Sequence, residues 1–96
     1  LSIDENNIEE TFSILNAYPN PFNPVITVDY LVESSDFVDV QIVNIKGEVV
    51  DVIESSFKAL GEHSISWNAQ NFSSGVYFMN ISKGNQIITQ KLMLLK

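Results

Sequence analysis

The sequence predicts an all-β fold: about seven short strands in two sheets, packed face to face as a sandwich. Three observations carry this. From residue 12 onward apolar residues recur with a period of two, the period of a strand with one buried face. Turn signals interrupt the alternation roughly every 8–12 residues. No window shows an apolar stripe at helical spacing. The chain has 96 residues, enough for one domain with a modest core. It has no cysteine, which excludes disulfides, thiol catalysis and thiolate metal sites.

Residues 1–11 read as an acidic linker and residues 12–96 as the folded domain. Asp4, Glu5, Glu9 and Glu10 place four of the twelve acids in the first ten positions. Such like-charged segments stay extended and solvated. The chain starts at Leu1 without an initiator Met and shows no leader, so it reads as a piece of a longer precursor.

Phe12 and Ile14 open a first strand. Tyr18-Pro19-Asn20-Pro21-Phe22-Asn23-Pro24 follows. Each proline removes a backbone donor and pushes its predecessor into extended geometry. This block therefore belongs neither to a helix nor to a sheet centre. It reads as a stiff crossover whose aromatics, Tyr18 and Phe22, plug one end of the core. Ile26, Val28, Tyr30 and Val32 then alternate with Thr27, Asp29 and Leu31, a half-buried strand. Glu33-Ser34-Ser35-Asp36 is a turn. Val38, Val40 and Ile42 alternate with Asp39 and Gln41. Lys46-Gly47 turns the chain into a strand from Glu48 to Ile53, where Val49, Val50, Val52 and Ile53 leave the buried face open.

Glu54 to Glu62 reads as a longer connection ending at Gly61. Ile65 and Trp67 face one way on the next strand, with His63 in phase and Ser64 and Ser66 opposite. Ser73-Ser74-Gly75 is a turn. Tyr77, Met79 and Ile81 alternate with Val76, Phe78 and Asn80. Ser82 to Asn85 makes a hairpin into a final strand from Gln86 to Leu95. The expected core is Val28, Tyr30, Val40, Ile42, Ile65, Trp67, Tyr77 and Met79. Hairpins plus at least one crossover point to a Greek-key, immunoglobulin-like arrangement.

Composition removes several functions. Net charge is −7, all five basic residues are lysines, and there is no Arg. Nucleic acid needs a basic face, and Arg supplies its best contacts. Anionic membranes are disfavoured on the same ground, and no apolar run is long enough to insert. No catalytic residue is expected: His63 stands alone, with Ser64 and Ser66 on the other face. No cofactor or metal is expected. Asp36 and Asp39 are the nearest approach to a calcium site, without the loop pattern of a calcium hand. The four glycines are isolated, so no phosphate loop exists. Asn71-Phe72-Ser73 and Asn80-Ile81-Ser82 match the glycosylation pattern by short coincidence. Trp67, Tyr30 and Tyr77 are in phase with the core rather than with a sugar-binding row. Phe37, Phe72 and Phe78 either form an exposed patch or cover the sandwich ends.

The closing segment, Lys91-Leu92-Met93-Leu94-Leu95-Lys96, is an apolar strand bounded by lysines. Such a strand completes a core or is presented to a partner by strand addition.

Three ordered blocks carry a resemblance: Tyr18 to Pro24 with the strand Ile26 to Tyr30; Asn44-Ile45-Lys46-Gly47; and Ser74-Gly75-Val76-Tyr77-Phe78 with Lys91 to Lys96. From Phe12 onward the chain resembles the type A C-terminal sorting domain of the bacterial type IX secretion system. One departure is Asp29, where family members often carry a basic residue. The resemblance implies a non-catalytic sorting signal at the end of a large exported protein of a Gram-negative bacterium. It implies an N-terminal passenger in the same precursor, recognition in the periplasm by translocon components, and delivery to the cell surface or secretion. It also implies a sortase-like peptidase that removes the domain, with the acidic segment near the cut. Gly75, Val76, Tyr77, Lys91, Leu92, Met93, Leu94, Leu95 and Lys96 are the expected recognition residues. Pro19, Asn20, Pro21, Phe22, Asn23, Pro24, Gly47 and Trp67 are the expected structural motif. Two other readings stand beside it: an immunoglobulin-like structural or adhesive spacer, and a carbohydrate-binding module of a secreted multidomain protein.

Overall fold

In a computed structural model, residues 11–96 are described, so the expected linker at residues 1–11 falls almost wholly outside the described residues. Seven strands follow: β1 (Ser13–Tyr18), β2 (Val25–Val32), β3 (Asp36–Asn44), β4 (Val49–Lys58), β5 (Gly61–Asn68), β6 (Gly75–Lys83) and β7 (Gln86–Leu94). All strand pairs are antiparallel. One sheet has the order β1-β2-β5 and the other β4-β3-β6-β7. This order is compatible with the immunoglobulin-like Greek key. So is the Tyr77 hydroxyl, which donates to the Ser73 carbonyl at 2.7 Å, as in the tyrosine corner of such sandwiches.

Alternation sorts the strands onto the core. Ile26, Val28, Tyr30 and Val32 of β2 face Val38, Val40 and Ile42 of β3 and Met79 and Ile81 of β6, all without solvent exposure. The eight residues expected in the core are all buried. Ile26, Val32, Val38, Ile81, Leu92, Leu94, Ala69, Phe12 and Phe22 join them. Each such large apolar side chain contributes about 1.5–3 kcal/mol by leaving water.

Two expectations need correction, and one open reading is settled. The stretch Glu54 to Glu62 is not a long connection: residues 54–58 continue β4, residues 61–62 begin β5, and only Ala59 and Leu60 lie between. Its polar residues suit an edge strand, where Ser55 bonds Asp39 on the outer face. The ambiguous phase of β4 comes from register shifts in the β3–β4 pair, at Val40/Gln41 and Ile42/Val43. They let Val50 and Ile53 pack on the core while Val49 and Val52 face solvent. Finally, Tyr18 does not plug the core. It lies exposed on the outer face, its hydroxyl 3.4 Å from Asp29 Oδ1, and Phe22 alone turns inward. Phe72 covers that end, with ring centroids 5.2 Å from Trp67 and 6.2 Å from Tyr77.

The sandwich has two poles. The chain enters at one, beside Glu33–Ser34 and the β6–β7 turn. There Lys83, only 6% exposed, lies 3.4 Å from Glu33 Oε1, donates to Ser34 Oγ at 3.3 Å, and sits over the buried ring of Phe12. A buried ammonium needs such company. The opposite pole holds the proline block, the β3–β4 turn, the β5–β6 loop and the end of β7.

Candidate functional site

β7 is the edge strand of its sheet, with β6 as its neighbouring strand. Its even residues turn inward: Leu92 and Leu94 are fully buried and Ile88 is partly so. Its odd residues Ile87, Thr89, Lys91 and Met93 lie on the outer face, opposite Ser82, Asn80, Phe78 and Val76 of β6. Both lysines that bound the segment are exposed.

The proline block lies along the outer backbone edge of β7. The Phe22 N–H donates to the Met93 carbonyl at 2.9 Å, and the Leu95 N–H donates to the Phe22 carbonyl at 3.0 Å. This is a short parallel bridge, Phe22 to Leu94. Asn20 extends it with its side chain. Its amide nitrogen donates to the Lys91 carbonyl and its amide oxygen accepts from the Met93 N–H, each at 3.0 Å. A carboxamide carries one donor group and one acceptor, as a peptide unit does, so Asn20 stands in for a rung of strand. Prolines suit this place: they cannot donate, so a sheet edge is where they are tolerated. Phe22 is held from behind, 2% exposed with its ring centroid 5.8 Å from that of Trp67. The block is tied at its far end by the Ala69 N–H, which donates to the Pro24 carbonyl at 2.8 Å. Pro19, Pro21 and Asn23 are exposed.

The expected recognition residues meet here. Gly75 and Val76 pair with Leu94 and Met93. Tyr77 pairs with Leu92 and its ring lies 5.3 Å from that of Trp67. The Lys96 N–H donates to Ser74 Oγ, and its ammonium donates to the Gln70 carbonyl. The Asn44 turn joins the same pole, because Asn44 pairs with Tyr77. Asn44 Oδ1 accepts from the N–H groups of Lys46 and Glu48, and Gly47 takes the left-handed φ of +83° that the turn requires. An open groove of about 320 Å³ lies beside β7, lined by Asn20, Pro21, Gln90, Lys91 and Met93.

One expectation changes. The backbone edge from the Lys91 carbonyl to the Leu95 N–H is not free for strand addition, since Asn20 and Phe22 occupy it. Sequence reasoning also missed Asn20 as a functional contact. The signal was an amide side chain set between two prolines, where little else can hydrogen-bond.

A family model described as the secretion system C-terminal sorting domain matches residues 16–95. The chain belongs to that family. Comparison with curated protein sequences finds no match at a significant level. The domain is thus a sorting signal of the type IX secretion system, a non-catalytic family that associates with the secretion machinery and with an N-terminal passenger. Its role implies export to the cell surface or secretion. The matched span runs from within β1 to just past β7, so the proline pole lies inside it.

The contacts at this pole are hydrogen bonds and apolar packing. Among the described residues no group of three or more His, Asp or Glu side chains converges as a metal site. Asp36 accepts from the Phe37 N–H and Asp39 from Ser55, so their oxygens are engaged separately. His63 Nε2 donates to the Ala59 carbonyl at 2.6 Å, near the other pole.

Proposed function

We propose that the proline pole, with the outer face of β7 and the start of β6, is the surface that translocon components read during passage through the periplasm. One observation carries this: the three blocks of the family pattern are dispersed in sequence yet meet at one pole, opposite the point where the upstream chain enters. Gly75, Val76, Lys91, Met93, Leu95 and Lys96 present accessible groups. Tyr77, Leu92 and Leu94 hold those groups in place from the core. The domain itself does no chemistry. A sortase-like peptidase cuts before Phe12, because Phe12 is buried and a protease needs extended, accessible backbone. The domain thus begins at residue 12, with residues 1–11 as the linker.

The sugar-binding reading loses support on the same geometry. Trp67, Tyr30 and Tyr77 are core residues and offer no co-facial exposed row.

Truncating residues 92–96 does not test recognition cleanly, since Leu92 and Leu94 are fully buried. The better test reverses exposed charges. A reporter passenger fused to this chain is expressed in a bacterium with a type IX system, as wild type, as Lys91→Glu/Lys96→Glu, and as Glu62→Lys on the outer face of β5. The first variant should keep its thermal midpoint within a few degrees yet lose about tenfold or more in surface delivery, while the Glu62 variant delivers normally. Equal delivery by all three would remove recognition from this pole.

A further inference from the structure

The outer backbone edge of β7 is hydrogen-bonded over only part of its length, with β1 of the other sheet packed alongside it. Met93 turns both its N–H and its C=O outward, to Asn20 and Phe22. Strand residues two apart repeat that orientation, so Lys91, Thr89 and Ile87 also direct their backbone groups outward. The Lys91 carbonyl is taken by Asn20. No hydrogen bond from a described residue reaches the outward N–H groups of Lys91, Thr89 and Ile87 or the carbonyls of Thr89 and Ile87. Beside this open stretch Ile87 is 63% exposed, and the groove at Asn20 and Pro21 begins where the cover begins.

We propose that a type IX component adds one extended segment along Ile87–Lys91, and that Asn20 and Pro21 set where this added strand must stop. The inference rests on the sorting reading above, names the partner's mode of engagement, and extends the read surface along β7 from the proline pole toward the β6–β7 turn. The occupant is a strand because outward N–H and C=O groups spaced two residues apart are matched only by extended backbone. Phe22 already pairs with this edge as a strand, so the incoming segment continues an existing line. Lys91 is the single charge among the groove residues, so the segment is neutral or acidic where it passes Pro21. Engagement at Leu92–Leu95 instead would require pulling Phe22 from behind Trp67.

The test uses the same passenger fusion. Thr89→Pro removes one outward N–H at an edge, the place in a sheet that tolerates proline. Thr89→Ala removes the same side chain and keeps the N–H. Ile87→Lys/Thr89→Lys places two charges on exposed positions of the edge strand, without touching the core, and blunts strand addition. Folding is followed by thermal midpoint and Trp67 emission. The expected result is that Thr89→Pro and the double-lysine variant fold but lose about tenfold or more in surface delivery, while Thr89→Ala stays within about twofold. Normal delivery by a folded Thr89→Pro protein overturns the inference. If Thr89→Pro fails to fold, the double-lysine variant decides by the same criterion. A concentration-dependent dimer of the isolated chain, abolished by Thr89→Pro, would assign the edge to a second copy and also overturn it. Retention of the wild-type fusion in the periplasm is a different result, because it defeats the sorting reading itself.

Discussion

The sandwich has two lateral seams, and they are closed by different chemistry. On one side β1 and β7 flank the gap, and the proline block closes it with main-chain bonds and one carboxamide. On the other side β4 and β5 flank the gap, and side chains close it. Trp67 Nε1 donates to Asp51 Oδ2 at 2.9 Å across the two sheets. A seam made of backbone depends little on which side chains line it. A seam made of side chains depends on each of them. The proposed recognition surface sits on the first kind, so on that reading its exposed residues can vary for binding without opening the fold.

The strongest way to break this contrast is Trp67→Ala. It removes the inter-sheet bond and the aromatic contacts to Phe22, Phe72 and Tyr77 together. Urea titration should show a loss of about 3–5 kcal/mol, as for other buried large aromatics. A loss under about 1 kcal/mol would mean that this seam does not hold the sheets together.

Asp51→Ala should cost less, about 1–3 kcal/mol, because it leaves a part-buried indole N–H without its acceptor. Asp51→Asn keeps an acceptor and should recover most of that loss. Equal destabilisation by both would trace the effect to charge rather than to the bond.

Asn20→Ala, on the other seam, should cost only about 1 kcal/mol, since its bonds lie in exposed surroundings. Its signature is local. Hydrogen exchange at the Met93 amide should quicken while Leu95, still bonded to Phe22, stays protected. Quickening at both would show that Asn20 holds the whole block.

The smallest effect at neutral pH concerns Tyr30. Burial, with Glu54 nearby, pushes its phenol up to about 12, and its hydroxyl has no partner among the described residues. The unfolded chain ionises near its ordinary value of 10 while the folded chain still holds the proton. Tyr30 therefore supports the fold fully below pH 10, and that support is lost as pH rises from about 10 to 12. Tyr30→Phe should be at least as stable at pH 7 and fall less steeply over that alkaline range. The acid side carries the opposite sign. Glu54 is held below its ordinary 4.5 chiefly by its bond from Lys58, so its contribution is present above that value and fades as pH falls through the lowered one.

What was legible in the sequence follows from where each strand lies. β2, β3 and β6 are inner strands with one face on the core, so their alternation is clean. β4 is an edge strand with register shifts, and its polar second half resembles a loop. The convergence of the family blocks was legible only as an ordered pattern. The bonds from Asn20 to Lys91 and Met93 span more than seventy residues, and periodicity reports only local conformation. Lys83, in a run of turn residues, gave no sign that it would be buried over Phe12.

That lysine has a mechanical consequence. On the proposed reading, a passenger pulling on the chain would load the domain at Phe12, and a reader at the proline pole would hold it at the other end. Tension then runs along the strands, and the hydrogen bonds between β1 and β2 lie across it. Those rungs share the load together instead of parting one after another. Phe12, clasped beneath Lys83, is the first link in that line, so such a load would meet β1 before any other strand.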